Sequence, residues 1–348
     1  MLGAILEKCL NNEEISDEEV TYLLTRKQDQ EINEIYSAAR RKREAYFGNR
    51  VFLYGFVYFS TFCKNNCSFC YFRREHSCPE RYRKSCDEIV QTAVELKNSG
   101  VHLIDLTCGD DPVYTQNPER LAQIVKAVKD ESALDIMVSP GVLNFRGIDM
   151  ISDAGASWYA LYQETHNREL YCALRPGQDY DTRMNSKLYA RAKGLLIEEG
   201  LLTGVGESTA DKIRSLHEMK KMEARQVRAM TFIEQEGAPL KSTNPFDFTS
   251  ELLLTASMRL IFGDVLIPAS LDVEGLAGLK KRLMAGANVV TSIIPPKKGY
   301  AGVANSVRDI DEGYRTVYGI EETLNECGLK KASQREYSDW VRERRKKF

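Results

Sequence analysis

The spacing of apolar residues changes near residue 50. Before that point apolar positions recur at helical intervals in ISDEEVTYLL and in DQEINEIYSAARRKREAYFG. The first stretch opens with Ser16 and Glu19 in the arrangement of a capping box, and the second ends at Gly48. We therefore expect residues 1–48 to form helices.

From residue 51 onward, short apolar runs alternate with amphipathic stretches. Each gap between runs has room for one helix, and SCDEIVQTAVELKNSG carries such a helix's signals: Ser85 and Glu88 at its start, Gly100 at its end. Buried strands alternating with helices predict a parallel sheet, and eight such units predict a (β/α)8 barrel of the TIM type over residues 51–300. A doubly wound open sheet is the alternative. The eight candidate strands are VFLYGFVYF, VHLIDLT, LDIMVS, SWYALYQ, LLTGVG, QVRAMTF, DVLIPAS and NVVTSII.

The rest of the chain contains no linker or low-complexity segment. We therefore expect one domain over residues 1–348, with the N-terminal helices capping the barrel and further helices over residues 301–348. The last of these, REYSDWVRERRKKF, is predicted to be a solvated helix with a basic end.

Composition and charge narrow the functional classes. The 348 residues are 43% hydrophobic and carry a formal net charge of -2, so nucleic acid is not expected as a partner. No apolar run approaches the ~18 residues of a membrane span, and the acidic start MLGAILEKCLNNEEISDEEV is unlike a signal peptide. We expect a cytoplasmic protein. In a reducing compartment, its nine cysteines favour metal or redox chemistry over disulfides.

Three cysteines follow the first predicted strand in the pattern C-x3-C-x2-C: Cys63, Cys67 and Cys70. The loops after barrel strands are where active sites lie. A structural zinc site is one interpretation, with His76 or Cys78 as the fourth ligand. The other is a [4Fe–4S] cluster, in which three thiolates leave one iron open for a reactant. The absence of a second pair of closely spaced cysteines favours the cluster.

This pattern, with Phe69 before its last cysteine, resembles the signature of the radical S-adenosylmethionine (SAM) superfamily. YQETHNRELY and the following arginine resemble its biotin synthase-like group, and LLTGVGES resembles the glycine strand of the superfamily. The resemblance implies a [4Fe–4S] cluster and SAM, a 5′-deoxyadenosyl radical, and a reducing electron donor such as flavodoxin or ferredoxin. Without it, Glu164 and Arg183 could form a surface ion pair. The residues that the resemblance places against SAM are Phe69, Ser139, Glu164, Arg183, Gly204 and Gly206.

Two further residues lie near these motifs. Cys108 ends the second predicted strand, but a single cysteine cannot hold a second cluster, and strands three and five contain none. Sulfur insertion of the biotin synthase kind is therefore not expected. His166 follows Glu164 closely and is expected near SAM.

Polar residues at three strand ends suggest a substrate pocket. Asp111 follows strand two, Arg228 lies within strand six, and Ser270 and Asp272 follow strand seven. A buried arginine needs an anion, which Asp111 or Asp272 could supply structurally. Alternatively, one cation and two or three carboxylates would suit a molecule with one carboxylate and two ammonium groups, such as lysine.

STFCKNNCSFCYFRRE, CGDDP and PASLDVEGL resemble the radical SAM mutases of pyrrolysine biosynthesis. This resemblance implies isomerisation of L-lysine to 3-methylornithine by hydrogen abstraction, fragmentation and recombination. It places Arg228 on the substrate carboxylate, Ser270 and Asp272 on the polar head, and Asp111 on an ammonium group. The alternatives are a hydrogenase cluster-maturation enzyme of similar barrel and a zinc-stabilised, non-catalytic binding protein.

Overall fold

The computed structural model describes residues 1–77, 81–242, 248–295 and 315–346, so Cys78 lies outside the described residues. Eight parallel strands follow one another in space in the order β6-β5-β4-β3-β2-β1-β8-β7. A parallel bridge between Gln226 in β6 and Leu266, just before β7, brings the two ends of the sheet together. The predicted barrel is confirmed and the open sheet is wrong. The strands are β1 Arg50–Ser60, β2 Leu103–Cys108, β3 Asp135–Ser139, β4 Trp158–Ala160, β5 Leu196–Thr203, β6 Gln226–Thr231, β7 Pro268–Ser270 and β8 Val289–Ile293.

Helices surround this barrel, and several begin where their capping residues predict. The side chains of Ser16 and Ser85 accept hydrogen bonds from the backbone amides of Glu19 and Glu88, in complete capping boxes. The helices before β6 are α1 Leu2–Leu10, α2 Asp17–Leu24, α3 Asp29–Phe47, α4 Cys86–Ser99, α5 Pro112–Thr115, α6 Pro118–Ser132, α7 Phe145–Asp153, α8 Arg168–Leu174, α9 Tyr180–Ala192 and α10 Thr209–Lys221. Those after β6 are α11 Phe248–Phe262, α12 Gly275–Met284, α13 Glu321–Glu326 and α14 Gln334–Arg345, and a short strand β9 Lys330–Lys331 pairs with β1.

The two ends of the barrel differ in what covers them. At the amino ends of the strands, Tyr54 and Trp158 pack against Tyr337 and Trp340 of α14, and the two tryptophan rings are stacked with centroids 6.0 Å apart. The prediction that this last helix is solvated is therefore wrong for one of its faces. The N-terminal helices lie mainly along the outside, where Leu23 and others pack on α11. The carboxyl ends of the strands remain free to surround a site.

Strand β5 begins five residues earlier than predicted. Its first half contains Glu198 and Glu199, which interrupt the apolar pattern although both are fully buried. Each has a buried cation as partner: Arg228 bonds to Glu198 inside the barrel, and Lys187 bonds to Glu199 behind it. Paired charges can occupy a buried strand, so the apolar pattern alone located only the end of β5.

No helix in the described part of the chain is both long enough and apolar enough to cross a bilayer.

Candidate active site

A cavity of about 310 Å³ lies within the carboxyl ends of the barrel strands. Its position is where side chains at strand ends converge in this architecture. Of the predicted site residues, the cavity is lined by Cys63, Cys67, Phe69, Cys70, Ser139, Glu164, Arg183, Arg228, Ser270 and Asp272. The structure thus brings the cysteines and most of the polar residues together in one space.

The cysteine loop after β1 is held in shape by the side chain of Arg81 and by packing against the loop after β2. Arg81 donates hydrogen bonds to four main-chain carbonyl groups of this loop, those of Thr61, Phe72, Arg73 and His76. The loop after β2 packs directly against it, since a Cβ atom at Gly109 would lie 2.3 Å from the carbonyl oxygen of Phe62. Only glycine fits at that position. The cysteine positions are therefore supported by contacts that need no bound group.

The three cysteines suit a polynuclear cluster. All are free thiols, and burial raises the pKa of Cys63 and of Cys70. Within the described residues, no three His, Cys, Asp or Glu side chains converge as a single metal ion would need. A cluster makes no such demand, because each cysteine binds a different iron. Arg175 and Arg183, which line the same cavity, supply positive charge to offset thiolates.

Glu164 and Arg183 are buried in the cavity wall, so the surface-pair alternative is wrong. The backbone of Glu164 has a φ of 68°, which is rare for a residue with a side chain. Its carboxylate accepts a hydrogen bond from Arg175 at 2.6 Å, while burial raises its pKa. Arg183 Nε donates to the carbonyl oxygen of Tyr162 at 2.8 Å. Both side chains are oriented toward the space beside the cysteines.

Behind this wall, a buried polar network supports the unusual backbone. Glu199 accepts a hydrogen bond from the amide of Gln163 at 2.6 Å and forms an ion pair with Lys187. Lys187 also donates to the side chain of Gln163 at 3.0 Å, and burial lowers its pKa to about 8. Gln163 directly precedes Glu164. The network therefore fixes the strand end that carries Glu164.

His166 belongs to this rear network and does not line the cavity. Burial lowers its pKa to about 4 from an ordinary value of 6.5. Between these values the unfolded chain binds one more proton than the folded chain, so stability is lost as pH falls through the window. Between about pH 7 and about pH 5 this effect lowers the free energy of unfolding of the wild type by about 2 kcal/mol. We expect His166→Leu to lack this decrease.

Denaturant titration of the two proteins at both pH values measures this difference. His217→Gln is the control, because that histidine is exposed and pairs with Asp17 at the surface. An identical pH dependence in His166→Leu and wild type would contradict the assignment.

Arg228 lies in the middle of the barrel, and only part of its guanidinium group is hydrogen-bonded. Its Nε donates to Glu198 at 2.9 Å and its Nη1 to Thr291 Oγ1 at 3.3 Å. Its Nη2 has no hydrogen-bond partner in the described chain. A buried donor of this kind is costly to leave unpaired, and it faces a cavity large enough for a small molecule.

Asp272 sits at the end of β7 among hydroxyl groups. Its Oδ2 accepts hydrogen bonds from Ser292 Oγ at 2.6 Å and from Ser270 Oγ at 3.3 Å. Its Oδ1 is paired with Arg315, whose side chain is fully buried. Ser270 and Asp272 therefore form one polar corner of the cavity. Ser292 and Arg315 were not expected, since neither lies in a recognisable motif.

Asp111 is not part of the cavity, which corrects its prediction as a substrate ligand. It is fully buried, and its carboxylate accepts from Arg83 at 2.7 and 3.1 Å and from Ser60 Oγ at 2.6 Å. It also caps α5 by accepting from the amide of Val113. This side chain holds the loop after β2, and because it is fully buried outside the cavity it is not accessible to a ligand there.

The carboxylate that β2 contributes to the cavity is Asp105, six residues earlier. Burial raises its pKa well above the usual range, and the nearby charge of Glu198 adds to this effect. Its Oδ1 accepts a hydrogen bond from Ser139 Oγ at 3.2 Å. The alternation of side chains along β2 could have identified Asp105 from the sequence. Leu103, Asp105 and Thr107 lie on the side of the strand that faces into the barrel.

Gly204 and Gly206 do not line the cavity. Their φ values of 82° and 97° favour glycine, and the amide of Gly204 donates to Glu207 at the turn after β5. Cys108 does line the cavity, close to the cysteine loop.

Comparison with known proteins agrees with this geometry. A model of the radical SAM superfamily matches residues 57–219. The 3-methylornithine synthase of Methanosarcina acetivorans is 44% identical over 97% of this chain and 96% of its own length. The [FeFe] hydrogenase maturase subunit HydE of Thermotoga maritima is 30% identical over 75% of this chain and 76% of its own. A crystal structure of methylornithine synthase (PylB) superposes with a TM-score of 0.92 at 42% identity, covering 97% of this chain and 99% of that one.

The match to the synthases extends over nearly the whole of both chains, whereas the match to the maturase covers three quarters and is weaker. The chain belongs to the radical SAM superfamily and, within it, to the 3-methylornithine synthase family.

Proposed function

We propose that this protein isomerises L-lysine to 3-methylornithine in pyrrolysine biosynthesis, using a [4Fe–4S] cluster and SAM. The observation that carries the proposal is the free Nη2 of Arg228, buried in a cavity that Asp105 and Asp272 also line. These three side chains would offer one anion site and two cation sites to the three charged groups of lysine. The two relatives named as methylornithine synthases support the same substrate.

Cys63, Cys67 and Cys70 would hold the cluster, and Phe69, Ser139, Glu164 and Arg183 would hold SAM. When bound, these cofactors supply the 5′-deoxyadenosyl radical that removes a hydrogen atom from the substrate. Arg183 offers a cation to the carboxylate of SAM, and Glu164 offers an acceptor to its amine or ribose groups. Gly204 and Gly206 would shape the adjoining turn.

Arg228 would bind the substrate carboxylate through its free Nη2, a charge-assisted hydrogen bond. Ser270 and Asp272 would hold the amino group next to that carboxylate. Asp105 would take the other ammonium group, the role predicted for Asp111. An incoming ammonium favours the ionised form of Asp105, which burial alone disfavours. The aromatic walls at Tyr58 and Tyr162 would exclude water from the reacting carbons.

Two further parts of the proposal concern the protein as a whole. The cluster needs one electron from a donor such as flavodoxin or ferredoxin. We also propose that residues 1–348 act as a single domain, with residues 51–300 as the barrel that carries the site.

Incubation of the reconstituted protein with SAM, reductant and three matched amines tests the proposal. Lysine should give an isomer of equal mass. Norleucine lacks the side-chain ammonium and 1,5-diaminopentane lacks the carboxylate, so we expect each to react at least roughly 10²-fold more slowly. Isomerisation of 1,5-diaminopentane at the rate of lysine would contradict the assignment of Arg228.

The cofactor assignment predicts that Glu164→Gln weakens SAM binding while iron content is unchanged. Loss of a charge-assisted hydrogen bond costs about 1.5–3 kcal/mol, which raises the dissociation constant of SAM roughly tenfold or more. Equilibrium dialysis of the reconstituted variant measures this constant. Glu169→Gln is the control, an exposed glutamate on the adjoining helix α8. Equal affinity in both variants would show that Glu164 does not contact SAM.

A further inference from the structure

One of the three cysteines is distinguished by side-chain contacts. Cys67 Sγ accepts a hydrogen bond from Gln178 Nε2 at 3.1 Å and a second from Arg175 Nη1 at 3.4 Å. The contacts described at Cys63 and Cys70 come instead from backbone amides, including those of Asn65 and Phe72. The environment of the three sulfur atoms is therefore asymmetric.

Both donors come from one short turn. Arg175 directly follows helix α8 as its C-cap, and the amide of Gln178 donates back to the carbonyl oxygen of Arg175 at 3.1 Å. Gly177, with a φ of 74°, provides the left-handed position that this turn requires. The turn lets two side chains three residues apart contact the same sulfur atom.

The guanidinium of Arg175 is also fixed on its other side. Its Nη2 donates to Glu164 at 2.6 Å and to the carbonyl oxygen of Tyr162 at 3.2 Å. Its centre lies 5.2 Å from the ring of Phe69, and the side chain is buried. One rigid cation thus joins a cysteine sulfur to a carboxylate of the proposed SAM site.

We propose that Arg175 and Gln178 raise the reduction potential of the cluster through Cys67, and that Arg175 couples this potential to occupancy of the SAM site. The proposal rests on the assignment of Cys67 as a cluster ligand. Reduction adds one electron, and hence one negative charge, to the cluster and its thiolates. Hydrogen-bond donors and a cation beside a ligand sulfur stabilise that added charge more than they stabilise the oxidised form.

The electron comes from the external donor, and neither Arg175 nor Gln178 gains or loses a proton. Because Arg175 divides its donors between Cys67 and Glu164, a cofactor that engages Glu164 changes how strongly Arg175 interacts with the sulfur. By linkage, SAM then shifts the potential, and reduction shifts the affinity for SAM.

An anaerobic redox titration of the reconstituted protein, followed by electron paramagnetic resonance, tests the first part. At a fixed potential near the midpoint, we expect the ratio of reduced to oxidised cluster to fall about tenfold in Arg175→Met, a shift of about 59 mV for one electron. Gln178→Leu should shift it in the same direction by a smaller factor. Arg168→Met is the matched control, an exposed arginine on the same helix that pairs with Asp181.

The two variants distinguish an effect on the reduction potential of the cluster from an effect on SAM binding. Gln178 bonds to Cys67 and Arg175, whereas Arg175 also bonds to Glu164. Gln178→Leu should therefore lower the potential with an unchanged SAM dissociation constant. Arg175→Met should weaken SAM binding and show a smaller SAM-induced change in potential than wild type.

Wild-type potentials in both variants at full iron content would overturn the proposal. If Arg175→Met assembles no cluster, Gln178→Leu decides alone, since its side chain is half-exposed and its loss leaves no buried charge. Unchanged potentials together with normal lysine isomerisation would overturn this proposal and leave the proposed function intact. A wild-type protein that binds no cluster would instead overturn the proposed function.

Discussion

Replacing Arg228 by methionine is expected to abolish lysine isomerisation while the cluster and slow uncoupled SAM cleavage persist. The substrate carboxylate would lose its only proposed cation, and breaking a buried charge pair on one side typically costs about 3–5 kcal/mol. That corresponds to a loss of more than about two orders of magnitude in turnover. Product formation, iron content and 5′-deoxyadenosine release are measured on the same preparation.

Arg228→Met also leaves Glu198 buried without its ion-pair partner. The double variant Arg228→Met/Glu198→Gln removes that charge and is the control for folding. It should be as inactive as the single variant. Normal lysine turnover in either variant would exclude Arg228 as the carboxylate ligand, although the radical SAM assignment would remain.

The second large effect is expected at the cysteines. Cys63→Ala, Cys67→Ala and Cys70→Ala should each lose the cluster and all SAM cleavage, because each thiolate holds one iron. The barrel should still fold, since the cysteine loop is supported by Arg81 and by packing at Gly109. Iron analysis and the visible charge-transfer band measure the cluster.

Cys86→Ala and Cys172→Ala are matched controls for this series, because both cysteines are exposed and free. Cys78→Ala should also retain its iron, since the cluster assignment needs no fourth cysteine. A full cluster in any of the three ligand variants would contradict the ligand assignment. Loss of metal in Cys78→Ala would instead revive the zinc interpretation.

Much of the fold was predictable because its signals are local. Apolar runs of strand length, capping boxes at Ser16 and Ser85, and regular spacing are sufficient to predict eight βα units. The start of β5 was not predictable from those signals. Glu198 and Glu199 are stable there only because Arg228 and Lys187 reach them from other elements, and such pairing is a property of the tertiary structure.

The site was predictable where chemistry is encoded in spacing, as for the three cysteines. It was not predictable where two similar carboxylates compete. Asp111 follows a strand and looks available, but Arg83 and Ser60 occupy it. Asp105 lies inside an apolar strand, where a buried charged group needs a partner or a ligand, as Arg228 does.

Arg175 illustrates a further limit. It lies in a turn with no distinctive motif, and its importance arises from the approach of Cys67 and Glu164, which are 108 and 11 residues away along the chain. Long-range contacts of this kind are set by the packing of α8 against the cysteine loop, and residue order alone does not indicate them.

The most direct test of the account is NMR analysis of the product formed from uniformly ¹³C-labelled L-lysine by the reconstituted protein with SAM and reductant. We expect a branched carbon skeleton with a new methyl group, that of 3-methylornithine, formed in amounts that depend on Arg228. SAM cleavage with the labelled lysine recovered only as an unbranched chain would contradict it.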